Sequence, residues 1–219
     1  MTTIPSRLLA VLLLATTCLC GSLFADQKFD NLRKAAKQGD AKAQLYLGIA
    51  YDKGEGVAKD QVEAVKWWRK AAEQGIAKAQ FNLGNAYSFG RGVAKDWGEG
   101  VKWYRKAAEQ GDAEAQAMLG FAYLEGNGVA KDQGEGVKWY RKAAEQGDAY
   151  AQYFLGLAYY DGEGVAKDQV EGYAWNNLSA LTHERAKERR AQIEKTMTAQ
   201  QVAEGQKRAT ELSALIKKK

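Results

Sequence analysis

The residue types that carry most protein chemistry are scarce in this chain. Its 219 residues include two cysteines, Cys18 and Cys20, and one histidine, His183. Zinc sites and iron–sulfur clusters need several Cys or His ligands. Cys–His nucleophiles and Ser–His–Asp triads need a histidine beside the nucleophile. One histidine makes all of these poor readings, and no cofactor is expected. Carboxylates do recur in a fixed pattern: Asp60/Glu63, Asp96/Glu99, Asp132/Glu135 and Asp168/Glu171. Paired carboxylates can serve as general acid and base. Asp followed three residues on by Glu is also how a helix start satisfies its free N–H groups and its dipole. The capping reading is preferred. The glycine-rich stretch Gly54-Glu55-Gly56-Val57-Ala58-Lys59 invites a phosphate-cradle reading. It lacks the Gly-Lys-Ser/Thr ending, and no strand precedes it.

The elements that must position these residues follow from an internal repeat. Gly39, Gly75, Gly111 and Gly147 are spaced by 36 residues, as are Trp67, Trp103, Trp139 and Trp175. The register holds from Asp40 to about Thr182 without an insertion, and a fixed period of this length marks a repeat architecture. Hydrophobic residues make up 46% of the chain and charged residues 27%, so a sizeable core can form.

Each unit reads as two helices. Asp40 is an N-cap candidate, and Ala43, Leu47, Ala50 and Tyr51 then fall on one helical face. Gly48 costs about 1 kcal/mol against alanine inside a helix, yet it recurs as Gly84, Gly120 and Gly156. Close approach of a neighbouring helix, where no Cβ fits, accounts for that cost. A loop with two glycines suited to positive φ follows. The second helix opens at Asp60, carries the stripe Val65, Trp68 and Ala72, extended by Trp67 and Ala71, and stops at the C′ glycine Gly75. The large rings are expected to fill the space between successive pairs. A lone pair cannot bury this much apolar surface, whereas stacked pairs can, so the chain is expected to be an α-solenoid.

The strings Ala-x-Ala-Gln-x-x-Leu-Gly-x-Ala-Tyr, Gly-Glu-Gly-Val-Ala-Lys-Asp and Lys-Trp-Tyr-Arg-Lys-Ala-Ala-Glu-Gln-Gly resemble the Sel1-like repeat, a cousin of the tetratricopeptide repeat. The resemblance covers residues 40 to about 182, with Ala58, Ala94, Ala130 and Ala166 where the family often has proline. It implies an all-α, right-handed solenoid of four helix-pair repeats, 40–75, 76–111, 112–147 and 148–182. Residues 26–39, from Phe29 on, resemble the second helix of a preceding unit and should form a capping helix. Residues 183–219 should add two helices, about 184–197 and 199–217, with Thr198 and Gln201 as a capping box.

Charge is uneven. Residues 182–219 hold 10 Lys/Arg and 5 Asp/Glu, while the body before them is nearly neutral. Arg189-Arg190 and Lys217-Lys218-Lys219 could meet anionic lipid or polymer. A solvated helix face is the preferred reading, and no nucleic acid is expected.

The units can be compared with one another. Positions that never change are what stacking needs, and positions that vary are free to serve a partner. On the first helix the varying set includes positions equivalent to 42, 45, 49, 52 and 53, which share one face. In tetratricopeptide-like solenoids the first helices line the concave surface, so the resemblance implies that this face is a groove. The candidate partner-binding residues are Lys78, Phe81, Asn85 and Ser88 in the second unit, Phe121 in the third, and Tyr150, Tyr153, Leu157 and Tyr160 in the fourth. Exposed aromatics with a few polar groups suit a protein or peptide partner, and the resulting expectation is a non-enzymatic adaptor. The alternative is an enzyme like the cysteine-rich secreted relatives associated with binding or hydrolysing β-lactams. Their cysteines are missing here, and no Ser-x-x-Lys occurs: Ser88 leads to Arg91, Ser179 to Thr182 and Ser213 to Ile216.

The first 25 residues read as an address. Arg7 precedes the apolar run Leu8 to Ala15, which is shorter than the ~20 residues a membrane span needs. Cleavage after Ala25 is the first choice and cleavage near Cys20 the second; a lipidated cysteine and an uncleaved anchor are weaker readings. The expected location is the periplasm or the exterior. Mass spectrometry of the native protein should find a mature N-terminus near Gly21 or Asp26; intact Met1 recovered from cytosol would contradict export.

Overall fold

The computed structural model describes residues 27–218, so the leader lies outside the described residues. Eleven helices and no strand occur among them. Helix α1 covers residues 27–37. Helix pairs follow: α2 (Ala41–Lys53) with α3 (Gln61–Glu73), α4 (Ala77–Phe89) with α5 (Trp97–Glu109), α6 (Ala113–Glu125) with α7 (Gln133–Ala144), and α8 (Ala149–Asp161) with α9 (Gln169–Ser179). Helices α10 (Glu184–Glu194) and α11 (Ala199–Ile216) close the chain. The repeated pairs make an α-solenoid. Two compact units are distinguished, one ending at Ala79 and one beginning at Gln80.

Helix starts and stops follow local chemistry. Asp40, Asp112 and Asp148 accept hydrogen bonds from the backbone N–H of Ala43, Ala115 and Ala151 at 2.7–2.8 Å. Asp60, Asp96, Asp132 and Asp168 do the same for the second helices, at about 3.0 Å from Glu63, Glu99, Glu135 and Glu171. The recurring carboxylates are therefore caps, each worth about 1 kcal/mol. Three of the partner glutamates turn outward to a lysine one turn on, as Glu99 does to Lys102 at 2.9 Å. First helices end on left-handed glycines, Gly54, Gly126 and Gly162, at φ +76°, +76° and +80°.

The glycine inside each first helix has the cost-bearing role expected of it, with one refinement: the close neighbour is the second helix of the same pair. A Cβ on Gly48 would stand 2.4 Å from the Trp68 ring, and one on Gly84 would stand 2.6 Å from the Tyr104 ring. On Gly120 it would meet Tyr140 Cγ at 3.0 Å, and on Gly156 the Asn176 amide at 2.3 Å. In the last three repeats a second glycine faces the first from the other helix, where the first repeat has Ala64. The site of a Gly100 Cβ is 3.0 Å from the Gly84 carbonyl, and that of a Gly136 Cβ is 3.0 Å from the Gly120 carbonyl. The rings at 68, 104 and 140 therefore sit within pairs, where the sequence suggested the space between pairs. Trp67, Trp103 and Trp139 lie nearer the surface, with the ammonium groups of Lys70, Lys106 and Lys142 about 4 Å over their rings.

In the first unit, Phe29, Leu32, Ala35 and Ala36 of α1 pack against Ala43, Leu47, Tyr51 and Trp67. Buried Gln44 donates to the Ala36 carbonyl at 3.1 Å and accepts from Gln74 at 2.8 Å. It thereby gives a helix-end carbonyl a second donor beside the Gly39 N–H. The second unit repeats the device: Gln116 donates to Ala108 O and accepts from Gln146, and Gln152 donates to Ala144 O. Arg105 and Arg141 tie each second helix to the next pair through the hydroxyls of Tyr123 and Tyr159.

The last pair changes to receive its cap. Ala174 stands where the earlier repeats have the lysine that pairs with glutamate. Glu171 is engaged instead by Trp175 Nε1 at 3.0 Å and by Arg208 of α11 at 2.8 Å. Gly205 lets α11 approach the Tyr173 ring. Thr198 and Gln201 form the expected capping box, and α10 ends a turn earlier than the sequence suggested, with Thr196 Oγ1 donating to Ile193 O.

Gly120→Leu should lower stability by about 1–3 kcal/mol or more, because the added chain must displace the Tyr140 ring. Gly134→Ala is the control. Its Cβ would meet Asp132 Oδ1 at 3.4 Å and the Gly164 carbonyl oxygen at 3.8 Å, both ordinary van der Waals contacts, so the substitution should be neutral or stabilising by up to about 1 kcal/mol. Equal urea midpoints for the two variants would contradict the contact.

Candidate interaction surface

First helices present an outer ridge at positions spaced by four, three and four residues. In the first repeat these are Lys42, Tyr46, Ile49 and Lys53, with Tyr46 58% exposed. An apolar hollow of about 660 Å³ lies beside it, lined by Phe29, Leu32, Tyr46 and Ile49. In the third repeat the ridge is Glu114, Met118, Phe121 and Glu125, and in the fourth Tyr150, Phe154, Leu157 and Asp161; all are half-buried or exposed. Apolar and aromatic side chains on the outer face of a helix suit hot-spot contacts.

The nine candidate residues divide between ridge and core. Lys78 is half-buried. Phe81 is not on an open face: it is 9% exposed, its ring centroid 6.0 Å from that of Tyr104. Ser88 is fully buried, because it fills the space above Gly100 where the paired helices cross. Both belong to the pair interior, and their placement in a groove is corrected. Asn85 is half-buried and accepts the Tyr104 hydroxyl at 2.7 Å, so it supports the core as well as facing outward. Phe121 and Leu157 are half-buried on the ridge.

Tyr150, at 39% exposure, leads an aromatic cluster. Its ring lies 4.6 Å from that of Phe154, which stacks on Tyr140 at 5.4 Å and meets Tyr153 edge-on at 5.2 Å. The His183 ring sits 5.3 Å from Tyr153. Tyr160 is partly covered by the C-terminal helices. Its hydroxyl is 2.7 Å from Thr196 Oγ1, and the Arg189 guanidinium lies over its ring. Tyr153 and Leu157 line a polar hollow shared with Arg185, Glu188 and Gln192.

Comparison of units missed the positions of Tyr46, Met118 and Phe154. Leu45, Phe81 and Ala117 vary from unit to unit too, yet they are buried. The signal that separates the two sets is the 4-3-4 spacing from the first ridge residue. The basic C-terminus is also less free than its charge suggests. Arg189 pairs with Asp161 at 3.5 Å, Arg190 with Glu194 at 3.7 Å and Arg208 with Glu171 at 2.8 Å. No group of three His, Cys, Asp or Glu suited to a metal ion occurs among the described residues.

Two core tyrosines differ in how their hydroxyls are served. Burial pushes the pKa of Tyr104 up to about 12, and its hydroxyl has Asn85 as acceptor. Burial raises Tyr140 further, and its hydroxyl has no hydrogen-bond partner among the described residues, because Phe121 stands where Asn85 stood.

Helix pairs with this period, these caps and these glycines define a protein of the Sel1-type solenoid class. The Sel1 repeat model matches residues 29–40, 41–76, 77–112, 113–148 and 149–180, and the chain belongs to the Sel1 repeat family. It is similar to a protective antigen present in uropathogenic Escherichia coli strains that displays an SLR fold, with 41% identity over 84% of this chain and a TM-score of 0.79. It is also similar to a Sel1 repeat protein from Oxalobacter formigenes, with 46% identity over 71% of this chain and a TM-score of 0.68. The chain spans 40% of the first protein's length and 64% of the second's. No curated protein matches at a significant level. Sel1 repeat proteins are typically protein-interaction scaffolds.

Tyr104→Phe should cost about 1 kcal/mol, because it strands the Asn85 carbonyl, whereas Tyr140→Phe should be neutral or stabilising. Denaturant melts of the two variants check this; equal losses would contradict the hydroxyl assignments.

Proposed function

We propose that this protein is an exported, non-enzymatic scaffold that holds a protein or peptide partner along the ridge of its first helices. The observation that carries the reading is the division of labour between faces. On the second helices of the first three repeats Lys66, Lys102 and Lys138 are paired with Glu63, Glu99 and Glu135 one turn away, at 2.5–3.0 Å. On the first helices of the third and fourth repeats, Met118, Phe121, Tyr150 and Phe154 remain partly open to solvent. Stacking does not require large apolar groups there, since the second repeat carries Asn82 and Asn85 at two of these positions. Aromatic and methionine side chains lose little on leaving water and bury large area, which suits a peptide-binding surface.

The family membership supports a scaffold, and the apolar run after Arg7 supports export to the periplasm or beyond. The partner belongs to the same compartment. Binding on the ridge leaves the helix-pair interior untouched, so recognition and folding are separable.

A photoreactive residue placed at Phe121 or Tyr150 should crosslink a discrete partner in the native envelope, and one placed at Lys138 should not. Equal crosslinking from Lys138, or none from the ridge, would overturn the assignment.

A further inference from the structure

We propose that Phe89, Arg91, Trp97 and Phe121 form one docking patch for an acidic polypeptide segment that carries an apolar anchor; this rests on the scaffold reading above. All four lie in the second unit. Phe89 ends α4, Trp97 opens α5 and Phe121 lies on α6. The rings form a continuous series, with centroids 5.6 Å apart for Phe89 and Trp97 and 6.1 Å apart for Trp97 and Phe121. Phe89 is 48% exposed, and the Arg91 guanidinium lies 5.5 Å over its ring.

Comparison with the equivalent positions indicates that this patch is an addition to the repeat. Where Trp97 stands, the other three repeats have glutamine. The backbone at this position receives the loop glycine of the next repeat: Gly128 lies against the Trp97 carbonyl, and Gly164 lies in the same way against the carbonyl of Gln133. That contact needs only backbone, so the indole is surplus to stacking. The positions of Phe89 and Arg91 tell the same story. In the first repeat they are Lys53 and Glu55, an exposed salt bridge of 3.6 Å. In the second repeat the pair has become a phenyl ring beneath a guanidinium. An exposed ion pair contributes little, whereas tryptophan and arginine side by side are enriched where partners bind.

Charge complementarity selects the occupant. Arg91 has no carboxylate within salt-bridge distance among the described residues, and neither does Lys95 four residues on. Arginine pairs with carboxylates in a bidentate fork and stacks on aromatic faces, so it can stay on Phe89 while it binds an acidic group. An aliphatic or aromatic side chain of the partner would rest against Trp97 and Phe121, with Asp or Glu beside it facing Arg91.

The test is selection of a random linear-peptide display library on the purified protein, followed by affinity measurement of the selected peptides. Enrichment of peptides with an apolar anchor flanked by Asp or Glu is expected. Phe89→Lys with Trp97→Gln, which installs the residues of the first repeat, Lys53 and Gln61, should weaken them about thirtyfold or more with an unchanged melting temperature. Arg91→Glu alone should weaken them and shift selection toward basic peptides. Enrichment of basic peptides on the unaltered protein, or no enrichment, would overturn the patch. Peptides that bind the double variant as tightly would also overturn it, while leaving the scaffold reading standing.

Discussion

One contact sets the geometry of every repeat: the crossing of two helices through a glycine on the first and a large side chain on the second. Gly48 against Trp68 and Gly84 against Tyr104 bring the helices closer than any Cβ would allow. The facing glycines Gly100 and Gly136 press the backbones together at the same crossing. Each such glycine costs about 1 kcal/mol of helix propensity; in the first three repeats the return is a buried ring packed on bare backbone, and in the fourth it is the buried Asn176 side chain. Because the crossing uses backbone, it fixes the angle between the paired helices, and that angle repeats as the motif repeats. The ridge on each first helix then follows, since the face opposite the crossing must point outward.

The ties between pairs are polar and equally periodic. Buried Gln44, Gln116 and Gln152 each donate to a carbonyl at the end of the preceding helix, and Arg105 and Arg141 reach a tyrosine hydroxyl on the next pair. Both ends must break this pattern, since a repeat with no neighbour exposes its apolar face. At the start, α1 supplies Phe29 and Leu32 as a half-unit. At the finish, Glu171 turns from a lysine on its own helix to Arg208 on α11, so the same carboxylate that decorates the interior repeats anchors the cap. Among the ten C-terminal basic residues, Arg189, Arg190 and Arg208 are paired with carboxylates.

The architecture was legible because it is written four times. The period of 36, the aspartate caps, the left-handed loop glycines and the terminal capping box all follow from residue type and spacing. The surface was legible only in part. Variation among units was read as freedom, but it has two causes. Phe121 varies because its position faces outward. Phe81 varies in the interior, where its ring meets the Tyr104 ring at 6.0 Å. Ser88 varies because whatever stands there must fit over Gly100. Sequence comparison within one chain cannot separate volume compensation from surface freedom, whereas burial does so at once. The partial cover of Tyr160 by Thr196 and Arg189 has a different origin, in a non-repeating segment that the period says nothing about.

The central claim is that the crossing builds the stack and the ridge binds the partner, each independently of the other. Its most direct test is a ridge graft in the third repeat, Glu114→Lys, Met118→Tyr, Phe121→Ile and Glu125→Lys, which installs the residues of the first repeat at the same positions. The measurement is recovery of the native partner by the grafted protein, with its melting curve recorded alongside. The account predicts a melting temperature within a few degrees of the original and loss of the partner. An unchanged melting curve with full retention of the partner would contradict it.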